Sequence, residues 1–165
     1  FNIPSKKIDI VIHPNSLVHA IIMFKNGLTK MLYHQTTMII PIANAIYEGN
    51  LNIKDFYKSK KINQNYFEDL TFKKVNPKIF PAIKFKDKSN KYPSTAIIIN
   101  AANEELVDQF LNRKITYNDI INGIKYILKD RNYIKYAVKK PKTIKQILDI
   151  DFWAKNKVLN KLSND

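Results

Sequence analysis

His19-Ala20-Ile21-Ile22-Met23-Phe24-Lys25, then Asn26-Gly27, then Leu28-Thr29-Lys30-Met31-Leu32-Tyr33 is the stretch that decides the fold. Both flanking runs are rich in apolar residues suited to a pleated surface. Asn-Gly between two such runs is the strongest short hairpin signal, because a two-residue turn needs φ > 0 at both central positions. Upstream, Ile8-Asp9-Ile10-Val11-Ile12-His13 alternates apolar and polar side chains and predicts another strand, which Pro14-Asn15-Ser16 breaks. The expectation is a small antiparallel sheet whose open edge pairs with another subunit, since an uncovered edge tends to be covered.

Working outward, Met38 to Tyr47 predicts a short helix with Pro41 in its first turn, where proline is tolerated, and with Gly49 ending it. Leu51 to Pro77 is polar, aromatic and poorly periodic, and reads as a linker with one short strand near Thr71-Phe72. The second half is helical. Ser94-Thr95 can cap a helix to about Asn112, with Ile99, Ala102, Leu106 and Phe110 on one face. Thr116-Tyr117-Asn118-Asp119 resembles a capping box with Asp in place of Glu, opening a helix striped by Ile120, Ile124, Ile127 and Leu128. Thr143 to Gln146 is another box, opening a short helix to Asp149, after which Asp151 can cap a last helix carrying Trp153, Val158 and Leu162. The class is therefore α+β: a small antiparallel sheet with a hairpin and a short helix over 1–48, a linker over 49–76, and an α-helical bundle over 77–165.

The chain has 165 residues and is 45% hydrophobic, enough for a real core. It has no cysteine, which removes disulfides, thiolate nucleophiles and cysteine-bound zinc together. No apolar run approaches the ~20 residues of a membrane helix. The start, Phe1-Asn2-Ile3-Pro4, shows neither an initiator Met nor a signal-peptide pattern and reads as a chain entered midway. The net charge of +14 suggests a polyanion partner. Against that, the only arginines are Arg113 and Arg131, and the lysines are scattered in short pairs such as Lys73-Lys74 and Lys139-Lys140. Bidentate reading of phosphate and guanine favours arginine, so the charge reads as a solvated lysine surface with no specific nucleic acid.

Chemistry is sparse. The three glycines, Gly27, Gly49 and Gly123, are far apart, which excludes a dinucleotide or phosphate loop. His13 and His19 flank a turn at a spacing that matches no standard metal-ligand pair. Ser16, His19 and Asp9 lack a nucleophile elbow and make no triad. A loop carrying Ser16 beside His19 can bind an oxyanion or a sugar hydroxyl, or can simply satisfy its own backbone in a turn; on chemistry alone the two readings stand level. Met38 reads as core and Trp153 as a bundle anchor.

Three stretches shift this balance. His13-Pro14-Asn15-Ser16-Leu17-Val18-His19 resembles the H-P-Q-S-[IV]-[IV]-H segment of the 1-deoxy-D-xylulose 5-phosphate reductoisomerase family. Ile99-Asn100-Ala101-Ala102-Asn103-Glu104 is similar to its L-N-A-A-N-E segment, and Ile147 to Ala154 to its closing V-L-x-x-D-x-W-A pattern. Met38, Pro41, Ile42 and Ala43, then Leu70-Thr71-Phe72 and Phe80-Pro81, fall in register between them.

The resemblance implies the C-terminal portion of an NADPH-dependent reductoisomerase. That enzyme converts 1-deoxy-D-xylulose 5-phosphate to 2-C-methyl-D-erythritol 4-phosphate, in isoprenoid synthesis outside the mevalonate route, with Mg or Mn as Lewis acid. By the same resemblance residues 1–48 are part of a catalytic domain, whereas the acidic metal ligands and the catalytic flap lie upstream. This portion alone is then expected to be inactive and to bind neither NADPH nor metal. Ser16, His19 and Met38 are implied as substrate-binding positions, Met38 also lying near the nicotinamide; no catalytic and no metal-binding residue is implied here. The implied partners are a sugar phosphate and a second subunit through the sheet edge, with no membrane, in a bacterial cytoplasm or a plastid-type organelle. The sequence departs from the family's P-D-M-R at Thr36-Thr37-Met38-Ile39, from its Trp-Pro at Tyr47-Glu48, and from its Gln at Asn15. The competing readings are a basic polyanion- or nucleic-acid-binding module and a dimerising structural fragment.

Overall fold

The computed structural model describes residues 3–58 and 70–163. The chain divides into two compact units. One, the sheet unit, spans 10–75; the other, the helical unit, joins residues 1–9 to 76–165. The architecture is α+β, with antiparallel strands in the first unit and helices dominating the second.

In the sheet unit, β2 (Val18–Met23) and β3 (Thr29–Tyr33) form the hairpin, with Ile21 opposite Met31 and Ile22 opposite Lys30. The turn is not the two-residue form. The Phe24 N–H donates to Leu28 O at 2.9 Å and the Gly27 N–H to Phe24 O at 3.1 Å. Gly27 lies in the left-handed region (φ +87°), whereas Asn26 is not among the positive-φ residues. This is a three-residue loop in which only glycine needs the left-handed conformation. Asn26 contributes differently: its Oδ1 accepts from the Leu28 N–H at 3.1 Å.

The expected first strand is short. As a strand it covers Val11–Ile12 (β1), and its partner is not the hairpin but β4 (Lys73–Lys74). Among the described residues the unit therefore holds two separate two-stranded sheets instead of one three-stranded sheet. Pairing β1 across more than fifty residues of sequence is a tertiary choice that alternation cannot reveal. β4 lies just after the Thr71-Phe72 position expected for it.

Helix α1 (Ile39–Ile46) starts from Met38 and carries Pro41 in its first turn. It closes with the Gly49 N–H on Asn44 O at 3.1 Å, the long bond of a Schellman ending. The left-handed residue of that ending is Glu48 (φ 52°), one position before the glycine expected to terminate the helix.

The helical unit contains α2 (Lys86–Ser89), α3 (Thr95–Leu111), α4 (Tyr117–Ile127), α5 (Tyr133–Ala137) and α6 (Ile144–Leu162). Its core joins Ile98, Ala101, Ala102 and Leu106 of α3 to Ile120, Ile124 and Ile127 of α4 and to Ile150, Ala154 and Val158 of α6. Ile99 and Phe110, expected on the core face, are only partly buried and flank it. Ala101 and Ala102 decide this: two small side chains let α6 approach closely, so the contact centres on them. Gly123 serves the α3–α4 contact, since a Cβ there would fall 2.6 Å from Leu106 Cδ1.

The ends of these helices show which capping signals were used. The Asp119 carboxylate accepts from the Thr116 N–H at 2.8 Å and from its hydroxyl at 2.6 Å, and these bonds hold it below the ordinary carboxylate value. Ser94 sits at the N-cap of α3, but its hydroxyl donates to Lys139 O at 2.6 Å instead of capping. Thr143 caps α6 by accepting from the Gln146 N–H at 3.3 Å. That helix then runs unbroken to Leu162, so no new helix begins at Asp151. Asp151 is a mid-helix residue paired with Lys155 at 3.2 Å, one turn on.

Candidate functional site

The segments that carry the resemblance assemble within their own units. In the sheet unit, a backbone bond from the Ser16 N–H to His13 O at 3.0 Å closes a turn over Pro14-Asn15. Ser16 leaves that turn in the left-handed region (φ 51°). A non-glycine residue held there is strained, and such strain collects at binding loops. Its hydroxyl is exposed and makes no hydrogen bond among the described residues. Leu17, the next residue, is buried at 4% exposure and anchors the loop.

The two histidines of this segment are engaged separately. His13 donates from Nδ1 to Thr71 O at 2.9 Å and stacks on Phe72 with ring centroids 4.9 Å apart. Two of the resemblance segments thus touch through His13, whose Nε2 is buried without a partner among the described residues. The role is structural: it ties the strand end to the chain entering β4. His19 instead lies against His34, ring on ring, with centroids 3.7 Å apart and planes 6° from parallel. His19 Nε2 reaches the carbonyl of His34 at 3.4 Å. His34 Nδ1 reaches Gln35 O at 2.6 Å, and the His34 N–H donates to Leu17 O at 3.1 Å. The open end of the hairpin therefore gathers Ser16, His19 and His34. His34 had no sequence signal of its own, because nothing in its neighbours marks a residue that acts by lying flat against another ring.

Met38, four residues beyond His34, is 68% exposed at the start of α1. It is not a core residue of this unit. Ile39, Ile42 and Ile46 beyond it are also exposed.

The other two resemblance segments meet in the helical unit. Asn100 to Glu104 supplies the small pair Ala101 and Ala102, and Ile147 to Ala154 supplies Ile150 and Ala154 against them. Lys155 then bridges Glu104 at 2.7 Å and Asp151 at 3.2 Å, bonds that raise the lysine above its ordinary value. Trp153 stacks on Tyr136 at 4.1 Å, with Lys139 Nζ 4.6 Å from the Tyr136 centroid. These motifs carry packing and not chemistry. A second ion pair, Lys157 to Asp130 at 2.9 Å, joins α6 to the loop after α4.

Among the described residues, no three side chains of His, Asp or Glu come together in a way that could hold a metal ion. With three isolated glycines there is no nucleotide loop either. The side chains of the described residues therefore do not fit a metal ion. Among the described residues no helix is long and apolar enough to cross a membrane.

Residues 34–157 match the family model for the DXP reductoisomerase C-terminal domain. Among curated proteins, the chain is 39% identical over 159 residues to the 1-deoxy-D-xylulose 5-phosphate reductoisomerase of Pelagibacter ubique, covering 96% of this chain and 40% of that protein. It is 35% identical over 158 residues to that of Francisella tularensis subsp. novicida, covering 92% and 37%. The chain thus spans about 40% of the length of the curated relatives it matches. Among solved structures, the fold resembles the Zymomonas mobilis 1-deoxy-D-xylulose 5-phosphate reductoisomerase in complex with NADPH. The TM-score is 0.79 at 23% identity, over 98% of this chain and 41% of that one. It also resembles a DOX-P reductoisomerase in complex with NADPH, fosmidomycin and magnesium, with TM-score 0.78 at 24% identity over 93% of this chain and 38% of the other.

Proposed function

The chain belongs to the DXP reductoisomerase C-terminal domain family, and from that premise we propose that it supplies one wall of a sugar-phosphate site in an NADPH- and metal-dependent reductoisomerase. The reaction proposed is conversion of 1-deoxy-D-xylulose 5-phosphate to 2-C-methyl-D-erythritol 4-phosphate. The observation that carries this reading is the gathering of Ser16 and His19, from the segment that resembles the family's pattern, with His34 at one end of the hairpin. Exposed polar groups on a strained loop, backed by a buried leucine, can orient the hydroxyls of a substrate. Met38 is proposed as an apolar contact for substrate and nicotinamide. NADPH and the divalent metal would be held by parts of the enzyme other than this chain, which alone is proposed to be inactive.

We also propose a homodimer through the hairpin. Ile21, Ile22, Met23, Leu28, Met31 and Leu32 all keep large exposed areas on a two-stranded ribbon, and such a ribbon is marginal by itself. Light scattering tests this: a dimer is expected for the chain, and a monomer across the micromolar range overturns it.

The functional reading is tested by a chimera. The matched C-terminal part of the Pelagibacter relative is replaced by this chain, and NADPH oxidation with 1-deoxy-D-xylulose 5-phosphate is followed. Turnover by the chimera is expected, with none from the chain alone. S16A and H19Q should raise KM by about tenfold, the weight of one lost hydrogen bond to a charged or well-placed group. A folded chimera without turnover sinks the reading, as does unchanged KM in both variants.

A further inference from the structure

We infer that His34 is a positioning residue for His19, fixing that ring so that its free nitrogen is the Nδ1 acceptor and its ligand must be a hydroxyl donor. A neutral imidazole carries one N–H. The network assigns that of His19 to Nε2, where it points to the carbonyl of His34 at 3.4 Å. Nδ1 is left as a lone pair with no partner among the described residues. His34 is itself pinned. Its Nδ1–H donates to Gln35 O at 2.6 Å, and its backbone N–H donates to Leu17 O at 3.1 Å, beside Ser16.

The carbonyl bond alone is too long to hold an exposed ring against the entropy of free rotation. The stacked plane of His34, 3.7 Å away and within 6° of parallel, is what removes that freedom. The chemical consequence is selective. A phosphate oxygen accepts hydrogen bonds and finds no donor at Nδ1, whereas a sugar hydroxyl donates to it. The pair therefore reads the polyol part of a substrate and not its phosphate. This rests on the reading above for what the ring contacts, but the ring's own state can be measured without substrate, so the two can fail separately.

The test is nitrogen-15 spectroscopy of the imidazoles in the whole chain, at a pH where the rings are neutral, for wild type, H34A and H34F. Wild type is expected to show His19 in the Nε2–H form. H34A should move its nitrogens to the tautomer mixture of a free histidine, and H34F, which restores a flat ring, should return them. Unchanged His19 nitrogens in H34A overturn the inference, and so does H34F behaving as H34A. Should H34A lose the hairpin amide signals of Ile21 and Met31, H34F against wild type decides: a wild-type tautomer supports the inference and a free-histidine mixture ends it.

Discussion

Leu106 in α3 has no exposed surface, whereas Leu32 in β3 keeps 57% of its own. Leu106 follows Glu104-Glu105 on one face of a helix, whereas Leu32 sits in the apolar run Met31-Leu32-Tyr33. The helical unit encloses its apolar residues: α3, α4 and α6 each contribute a face, and Ile98, Leu106, Ile127, Ile150 and Val158 are sealed together. In the sheet unit the hydrophobic residues buried among the described ones are Leu17 and Ala43. Three helices can close around a shared axis, but a two-stranded ribbon has two faces and nothing of its own to cover them. The difference separates a unit that generates its own stability from one that presents surface.

The largest effect should separate the two units most clearly. Leu106→Ala should cost about 2–5 kcal/mol, because it leaves a cavity that its neighbours cannot fill. Leu32→Ala, measured with the chain diluted to monomer, should cost no more than about 0.5 kcal/mol. Guanidinium unfolding followed by helical circular dichroism checks both, and equal costs would erase the contrast.

Next, Gly123→Ala forces a Cβ to within 2.6 Å of Leu106 Cδ1 and 2.8 Å of Cδ2. It should destabilise by about 1–3 kcal/mol in the wild type through overpacking. In the Leu106→Ala background the obstruction is gone, and the same change should be stabilising by up to about 1 kcal/mol from helix propensity. A cost that keeps its sign in both backgrounds would mean the α3–α4 contact is not set by this pair.

Asp130 sharpens the helical side further. Burial works against its charge, but the Lys157 ammonium at 2.9 Å and the Asn132 N–H at 2.8 Å prevail and hold the carboxyl below its ordinary value of 3.8. A depressed folded value means stability that is present above 3.8 and lost as pH falls through the lower, folded value. Lys157 is raised from 10.5, so its share is present below 10.5 and lost as pH rises through the higher, folded value. Asp130→Asn should cost about 1–3 kcal/mol near neutrality and flatten the acid limb of a stability–pH curve. An unaltered acid limb would show that other carboxylates dominate it.

The smallest effects come from backbone strain. α3 ends as α1 does: the Lys114 N–H bonds Gln109 O at 2.9 Å while Arg113 takes the left-handed position at φ 59°. Arg113→Gly should stabilise the helical unit by about 1 kcal/mol. Glu48→Gly relieves the same strain in the sheet unit and should leave the helical unfolding midpoint where it is. A shift of that midpoint by both variants would show the units unfolding as one.

Much of the helical unit was legible in the sequence. The stripe Ile120, Ile124 and Ile127 is the buried face of α4, and Thr116 with Asp119 forms the cap it resembles. Two cap signals misled, for one physical reason. Ser94 and Asp151 have side chains that cap helices when nothing better is near, but folding offered them Lys139 O and Lys155 Nζ instead. The proposed site was legible only in part. Ser16 and His19 carry a recognisable pattern; His34 carries none, since its relation to His19 runs across the hairpin and not along the chain.

By itself the sequence determined what depends on neighbours a few residues apart: the hairpin and its glycine, the helix periods, the α+β class, and the segments that mark the family. Only the tertiary structure decided what depends on residues far apart in the chain. It paired β1 with β4, ran α6 through the expected break at Asp151, and laid His34 on His19. Local periodicity and cap chemistry are written in a short window of residues. The partner of a strand, a hydroxyl or a ring is chosen among all groups that folding brings within reach, and no short window contains that list.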